Sequence, residues 1–168
     1  MKIVNILFCA ALYCLLISPI LADEKMVNAE KQQVLSADYN MEFKNHSFSV
    51  NELVIVKQST DCMYDSGADQ INIAPGNHQS TNLQDNDNVF SACTLRPKWV
   101  EWSVSSGSMS CALRFERGYD FSEVGWYTVI KGCPNIVKSA TCGNADCNQT
   151  NVYGSSSYMD ISVEFLVQ

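Results

Sequence analysis

From residue 41 onward, apolar and polar positions exchange every second residue. The pattern is visible in MEFKNH (41–46), VNELVIVKQ (50–58), DQINIA (69–74), WVEWSVS (99–105), MSCALRFE (109–116), GWYTVIKG (125–132) and YMDISVEFLV (158–167). A period of two sends successive side chains to opposite faces, so each stretch reads as a short strand with one buried face. Seven such strands, separated by clusters of Gly, Ser, Asn and Asp, predict a mainly β domain. The expected fold class is an antiparallel β-sandwich with one short N-terminal helix and a disulfide-bonded loop region.

The clearest hairpin is WVEWSVSSGSMSCALRFE, with Ser105-Ser106-Gly107-Ser108 as its turn. Val100, Trp102 and Val104 are expected to face inward on its first strand, and Met109, Cys111, Leu113 and Phe115 on its second. In the last strand Met159, Ile161, Val163, Phe165 and Val167 form an inward set against Asp160, Ser162 and Glu164. Burying one such side chain contributes roughly 1.5–3 kcal/mol. A one-residue slip would turn the whole set outward, so the alternation fixes register.

Residues 23–40, DEKMVNAEKQQVLSADYN, form the one stretch with helical spacing, Met26, Ala29, Val34 and Ala37 falling loosely on one face. Residues 59–69, 78–88 and 133–150 read as loops, and the last holds three cysteines. Upstream, Met1 and Lys2 precede an apolar run that ends at Ala22, the pattern of a cleaved secretory signal. The expected organisation is a signal peptide at 1–22, an N-terminal segment at 23–40 and a single domain at 41–168.

Export changes the reading of the cysteines. Cys9 and Cys14 leave with the signal, and Cys62, Cys93, Cys111, Cys133, Cys142 and Cys147 remain. An even number in an oxidising compartment predicts three disulfides, with about 15 pairings open. A zinc site is the rival, but no CxxC occurs and His46 and His78 are far from any cysteine pair. Asn45-His46-Ser47 and Asn148-Gln149-Thr150 match the N-glycosylation pattern, making Asn45 and Asn148 candidate acceptors.

Without Lys2 the chain keeps ten basic residues against eighteen acids, a net charge of −8. Nucleic acid is an unsuitable partner, since phosphate binding needs a concentrated basic face. Anionic lipid is disfavoured for the same reason, whereas zwitterionic lipid and glycan are not. Neither histidine sits in an acid, base or metal pattern, and no catalytic or phosphate-loop motif occurs, so the chain reads as a non-enzyme without cofactor. Asp85, Asn86, Asp87 and Asn88 offer oxygens but lack the spacing of a calcium loop. Glu116 and Asp120 are the carboxylate pair a glycosidase would need, with no cleft in evidence.

The densest chemistry lies in FERGYDFSEVGWYTVIKG, residues 115–132. Trp126, Thr128 and Ile130 share one strand face and Tyr127 and Val129 the other, while Tyr119 and Phe121 fall in the preceding connection. Rings exposed at such a connection stack on sugars or cup a quaternary ammonium, with Glu116 or Asp120 helping to hold the cation. The competing reading has Trp126 and Tyr119 filling the end of the sandwich.

Trp102 to Gly107, Leu113-Arg114-Phe115, Tyr119-Asp120-Phe121, Trp126-Tyr127 and Val129 to Gly132 resemble, in order and spacing, the central segment of the actinoporins, the sea-anemone cytolysins. The stretch from Gly154 to Val167 is similar to the end of the same family. The resemblance implies a β-sandwich flanked by helices, shared with fungal fruit-body lectins, and binding of phosphocholine head groups by an aromatic cleft. It also implies a pore made by inserting an N-terminal helix, with a homo-oligomer on the membrane. Carried over by position, Tyr119 and Trp126 keep the family's residue types and Phe121 and Tyr127 exchange one aromatic for another. Glu116 stands where a Ser is expected, Gly118 where a Pro is expected, and Glu123-Val124 replaces an exposed Trp-Tyr pair. The site expected from ring and charge together is Glu116, Tyr119, Asp120, Phe121, Trp126 and Tyr127. A non-lytic glycan-binding lectin and a secreted protein-interaction or inhibitor module built on the 133–150 loop are the alternatives.

Overall fold

The computed structural model describes residues 36–48 and 50–166. The signal-like segment, most of the 23–40 stretch and Val167 lie outside the described residues. The strands are β1 (Asp38–Asn45), β2 (Leu53–Asp61), β3 (Met63–Asp65), β4 (Gln70–Ile73), β5 (His78–Asp85), β6 (Lys98–Ser106), β7 (Met109–Asp120), β8 (Gly125–Gly132), β9 (Val137–Cys142), β10 (Ala145–Asp146), β11 (Val152–Tyr153) and β12 (Tyr158–Phe165). They form two six-stranded sheets, ordered β10-β9-β12-β1-β5-β3 and β11-β8-β7-β6-β2-β4. Neighbouring strands are antiparallel except β1 and β12, which run parallel.

The alternating stretches bury the faces their period assigns. Val100, Trp102, Val104, Leu113, Phe115, Ile161, Val163 and Phe165 are buried, whereas Met109, Cys111 and Met159 are half-buried toward the strand ends. Rings from the two sheets meet directly: Tyr39 packs on Phe115 at 4.8 Å, and Phe43 meets Trp102 edge-on at 5.6 Å. One core therefore lies between the sheets. The β6–β7 hairpin closes with Ser106 opposite Met109. Gly107 takes a left-handed φ of +59° there, and a Cβ at that position would come 2.8 Å from Asn51.

Four readings change, the first in the stretch 59–69, where 59–61 continue β2 and Met63–Asp65 form β3. Asp38, Tyr39 and Asn40, assigned to the end of the N-terminal helix, are the first residues of β1. Tyr39 continues the buried set of Met41 and Phe43, so period two extends further back than helical spacing suggested. The polar stretch 78–88 is mostly strand β5, held by backbone pairing to β1 with only Leu83 and Asp85 turned inward. Residues 133–150 contain β9 and β10, and Val137 and Ala140 join the core.

The six cysteines pair as Cys62–Cys93, Cys111–Cys133 and Cys142–Cys147. The last closes the β9–β10 hairpin, and Cys111–Cys133 ties the start of β7 to the end of β8. These bridges are consistent with an oxidising compartment.

Phe43→Ala removes a wholly buried ring in contact with both Trp102 and Phe165. It should cost about 3–5 kcal/mol, read as a lowered urea midpoint at unchanged slope.

Candidate functional site

The register of β7 against β8 places Gly118 opposite Tyr127 and Tyr119 opposite Trp126. Because side chains alternate, the six predicted residues divide between two faces. Glu116, Asp120 and Tyr127 lie on the outer face of the sheet, whereas Tyr119 and Trp126 turn inward at the end of the domain, with Phe121 on the adjoining turn.

On the outer face the Glu116 carboxylate is engaged chiefly through Oε1. It accepts hydrogen bonds from the Tyr127 hydroxyl and from Lys131 Nζ, both at 2.8 Å, and lies 3.2 Å from Arg114 Nε. Burial pushes its carboxyl upward, but the bonds from Lys131 and Tyr127 outweigh this and hold it below the ordinary range. The Tyr127 hydroxyl is pushed up to about 12, by burial first and then by Glu116. Gly118 is required beneath this pair, since a Cβ there would collide with the Tyr127 ring and hydroxyl. Arg114 also stacks on Trp99, 4.1 Å from the ring centroid. The acid at the position of the expected Ser is therefore neutralised by two cations.

Asp120 organises the turn that follows β7. It accepts from the Ser122 amide and hydroxyl, at 2.8 and 2.6 Å, and from the Tyr153 hydroxyl at 2.8 Å. The Ser122 hydroxyl and then Tyr153 lower its carboxyl to about 2. Tyr153 also packs edge-on against Tyr127.

The inward group continues into an ionic cluster between the sheets. Tyr119 lies edge-on to both Phe121, at 5.1 Å, and Trp126, at 5.5 Å. Trp126 in turn faces Lys98 Nζ at 4.3 Å and the Arg117 guanidinium at 5.1 Å. Arg117 donates to the Tyr39 hydroxyl at 2.7 Å and lies 3.5 Å from Asp85, which also accepts from Tyr39 and from the Ala37 amide. Burial raises the Asp85 carboxyl despite these partners, and burial likewise raises Tyr39. Lys98 pairs with Asp87 at 3.0 Å. Sequence reading missed this cluster, yet a signal existed. Lys98 shares the inward parity of Val100 and Trp102, Arg117 that of Leu113 and Phe115, and Asp85 that of Leu83.

Loops around the cluster carry bare apolar side chains. Val89, Phe90 and Leu95, between β5 and β6, are 60, 91 and 41 % exposed, and Phe121 and Val124, between β7 and β8, are 71 and 73 % exposed. Both loops leave the domain at the end where Lys98 pairs with Arg117 across β6 and β7. Ala92, Leu95 and Val124 there hold a left-handed φ, a strained conformation above all for β-branched Val124. Phe48 and Val50, also bare, lie in the β1–β2 connection at the opposite end.

The other candidates are dispersed. Asn45 is buried and donates its side-chain amide to the Ile73 carbonyl, so the nitrogen that would carry a glycan is committed in the folded domain. Asn148 is half-buried beside the Cys147 bridge. His46 and His78 lie 3.7 and 3.8 Å from Glu164 and Glu42. Among the described residues no cluster of His, Cys, Asp and Glu is placed to hold a metal. No protein-family model matches the chain, and no curated protein shows significant sequence similarity to it.

Two outcomes follow from these contacts. The depressed carboxyl of Asp120 means that its bonds to the turn persist below the pH at which a free Asp protonates and are lost only as pH falls through about 2. A carboxyl-carbon NMR titration should show that midpoint, and Tyr153→Phe should move it upward. Arg117→Ala should cost about 3–5 kcal/mol because it strands a buried acid. The double variant Arg117→Met with Asp85→Leu should recover part of that loss in chemical denaturation.

Proposed function

We propose that this chain is a secreted, actinoporin-like β-sandwich protein that binds a membrane surface bearing zwitterionic head groups through its aromatic end. The observation that carries this reading is the gathering of Phe90, Val89, Leu95, Phe121 and Val124, all exposed, on two loops at one end of the domain. Large bare apolar side chains grouped in this way mark contact surfaces, and their burial in an interfacial layer is favourable. The acid excess disfavours anionic lipid, which leaves a zwitterionic surface as the fitting partner. The three disulfides and the signal-like segment support export. The resemblance to the actinoporins and to fungal lectins supports a scaffold that presents its binding site on loops.

A glycan-binding lectin is the second reading. It is favoured by the outer face, where Trp99, Arg114, Glu116, Tyr127 and Lys131 set rings beside paired charges.

Sedimentation with phosphatidylcholine vesicles, with and without sphingomyelin, tests the first reading. Phe90→Ser and Phe121→Ser should each weaken partitioning about ten-fold, since burying such a ring contributes roughly 1.5–3 kcal/mol. Absence of binding to every vesicle, together with glycan-array signals lost in Trp99→Ala, would replace this reading with the lectin. Dye release from bound vesicles reports pore formation. A truncation made for that purpose must stop at residue 35, because Ala37 and Asp38 belong to the folded domain.

A further inference from the structure

Lys98 opens β6 and is wholly buried, although an ammonium is normally kept in water. Its Nζ lies 3.0 Å from Oδ1 of Asp87, whose side chain is 8 % exposed. That oxygen is buried and receives no hydrogen bond, so the two groups touch without the alignment of an ordinary donor and acceptor. Nζ is oriented by the carbonyls of Cys93 and Arg96, at 3.1 and 3.2 Å. The Trp126 ring lies 4.3 Å from Nζ, and the same indole also faces the Arg117 guanidinium. The Lys98 nitrogen and an Asp87 carboxylate oxygen are thus in contact where Nζ is wholly buried.

We infer that Lys98 and Asp87 join through an intramolecular amide between Nζ and Cγ, a covalent cross-link closing the 87–98 loop. Proton transfer from the ammonium to the carboxylate in contact with it frees the Nζ lone pair. The Nζ lone pair then attacks Cγ and forms the C–N bond. One Cγ–O bond breaks and that oxygen leaves as water. The three ammonium hydrogens end as one amide N–H and the two of the water, so the step needs no oxidant and no external group. Positioning supplies the acceleration, since holding amine and carboxyl in fixed contact turns the condensation into an intramolecular step. Amide formation also removes one of the two cations facing Trp126. The amide N–H keeps an acceptor in the Cys93 or Arg96 carbonyl.

Such a bond fastens the loop after β5, in one sheet, to the start of β6 in the other. It stands beside the Cys62–Cys93 bridge but is inert to reductant.

The test is the intact mass of the full chain as purified, after reduction of its disulfides. The expected mass is lower than that of the summed residues by one water molecule, with a branched peptide joining Asp87 to Lys98 in the proteolytic digest. Lys98→Met and Asp87→Ala should both restore the full mass. A wild-type mass without the deficit overturns the cross-link and leaves a buried ion pair. A deficit that persists in Lys98→Met is also overturning, because it identifies a cyclised aspartyl residue instead. The vesicle-binding result bears on neither outcome.

Discussion

Two cations enter the space between the sheets at one end of this domain, and the surrounding structure is arranged to hold them. Moving an unpaired charge out of water costs several kcal/mol or more, so Arg117 and Lys98 can be buried only if partners arrive from other elements. Those partners come from three directions. Tyr39 reaches Arg117 from β1, Asp85 reaches it from the end of β5, and Asp87 reaches Lys98 from the loop that follows. Trp126 on β8 offers its ring to both cations. The first turn of each element at this end is therefore tied to the others, and the loops that leave from it start from fixed points. Cys62–Cys93 adds a covalent tie to the same region.

The parity of apolar positions made the central strands readable. Trp102, Phe115 and Val163 are buried where period two put them, because hydrophobic burial dominates where a strand has one core face. Strand β9 escaped notice because a register shift against β12 breaks its alternation, and β5 for a different physical reason. His78 to Ser80 are exposed on β5, which is held by backbone hydrogen bonds to β1, and ladder bonding leaves no mark on side-chain pattern. Tyr39 belonged to the same alternation as Met41 and Phe43, yet helical spacing across residues 26–37 obscured it. The ionic cluster obeyed parity as well, but a charged residue on an inward position is easily dismissed as exposed. Its meaning depends on partners distant in sequence, such as Tyr39 and Arg117, which only the fold brings together.

Strand alternation also explains why the expected site divides. Residues at successive positions, such as Trp126 and Tyr127, cannot line one groove in a flat strand, since they point to opposite faces. Tyr127 is drawn to the outer face by Glu116, whose charge Lys131 and Arg114 balance. Tyr119 and Trp126 instead support Phe121 from below. Sequence proximity thus assembled two arrangements with different chemistry: a neutralised polar cluster on the sheet, and an aromatic stack that carries an exposed ring.

On the proposed membrane-binding reading, the aromatic stack and the ionic cluster have a common effect. A net negative protein gains no long-range attraction to a zwitterionic surface, so its affinity must come from apolar area at the point of contact. Each apolar loop that has to be ordered on binding subtracts conformational entropy from that gain. Here Asp120 and Tyr153 brace the turn bearing Phe121 and Val124, while Asp87, Lys98 and the Cys62–Cys93 bridge brace the loop bearing Val89 and Phe90. Left-handed conformations at Val124 and Leu95 are strain that only a firmly held base sustains. The buried charges, which contribute little net stability by themselves, would then serve affinity by ordering the loops before contact rather than by touching the partner.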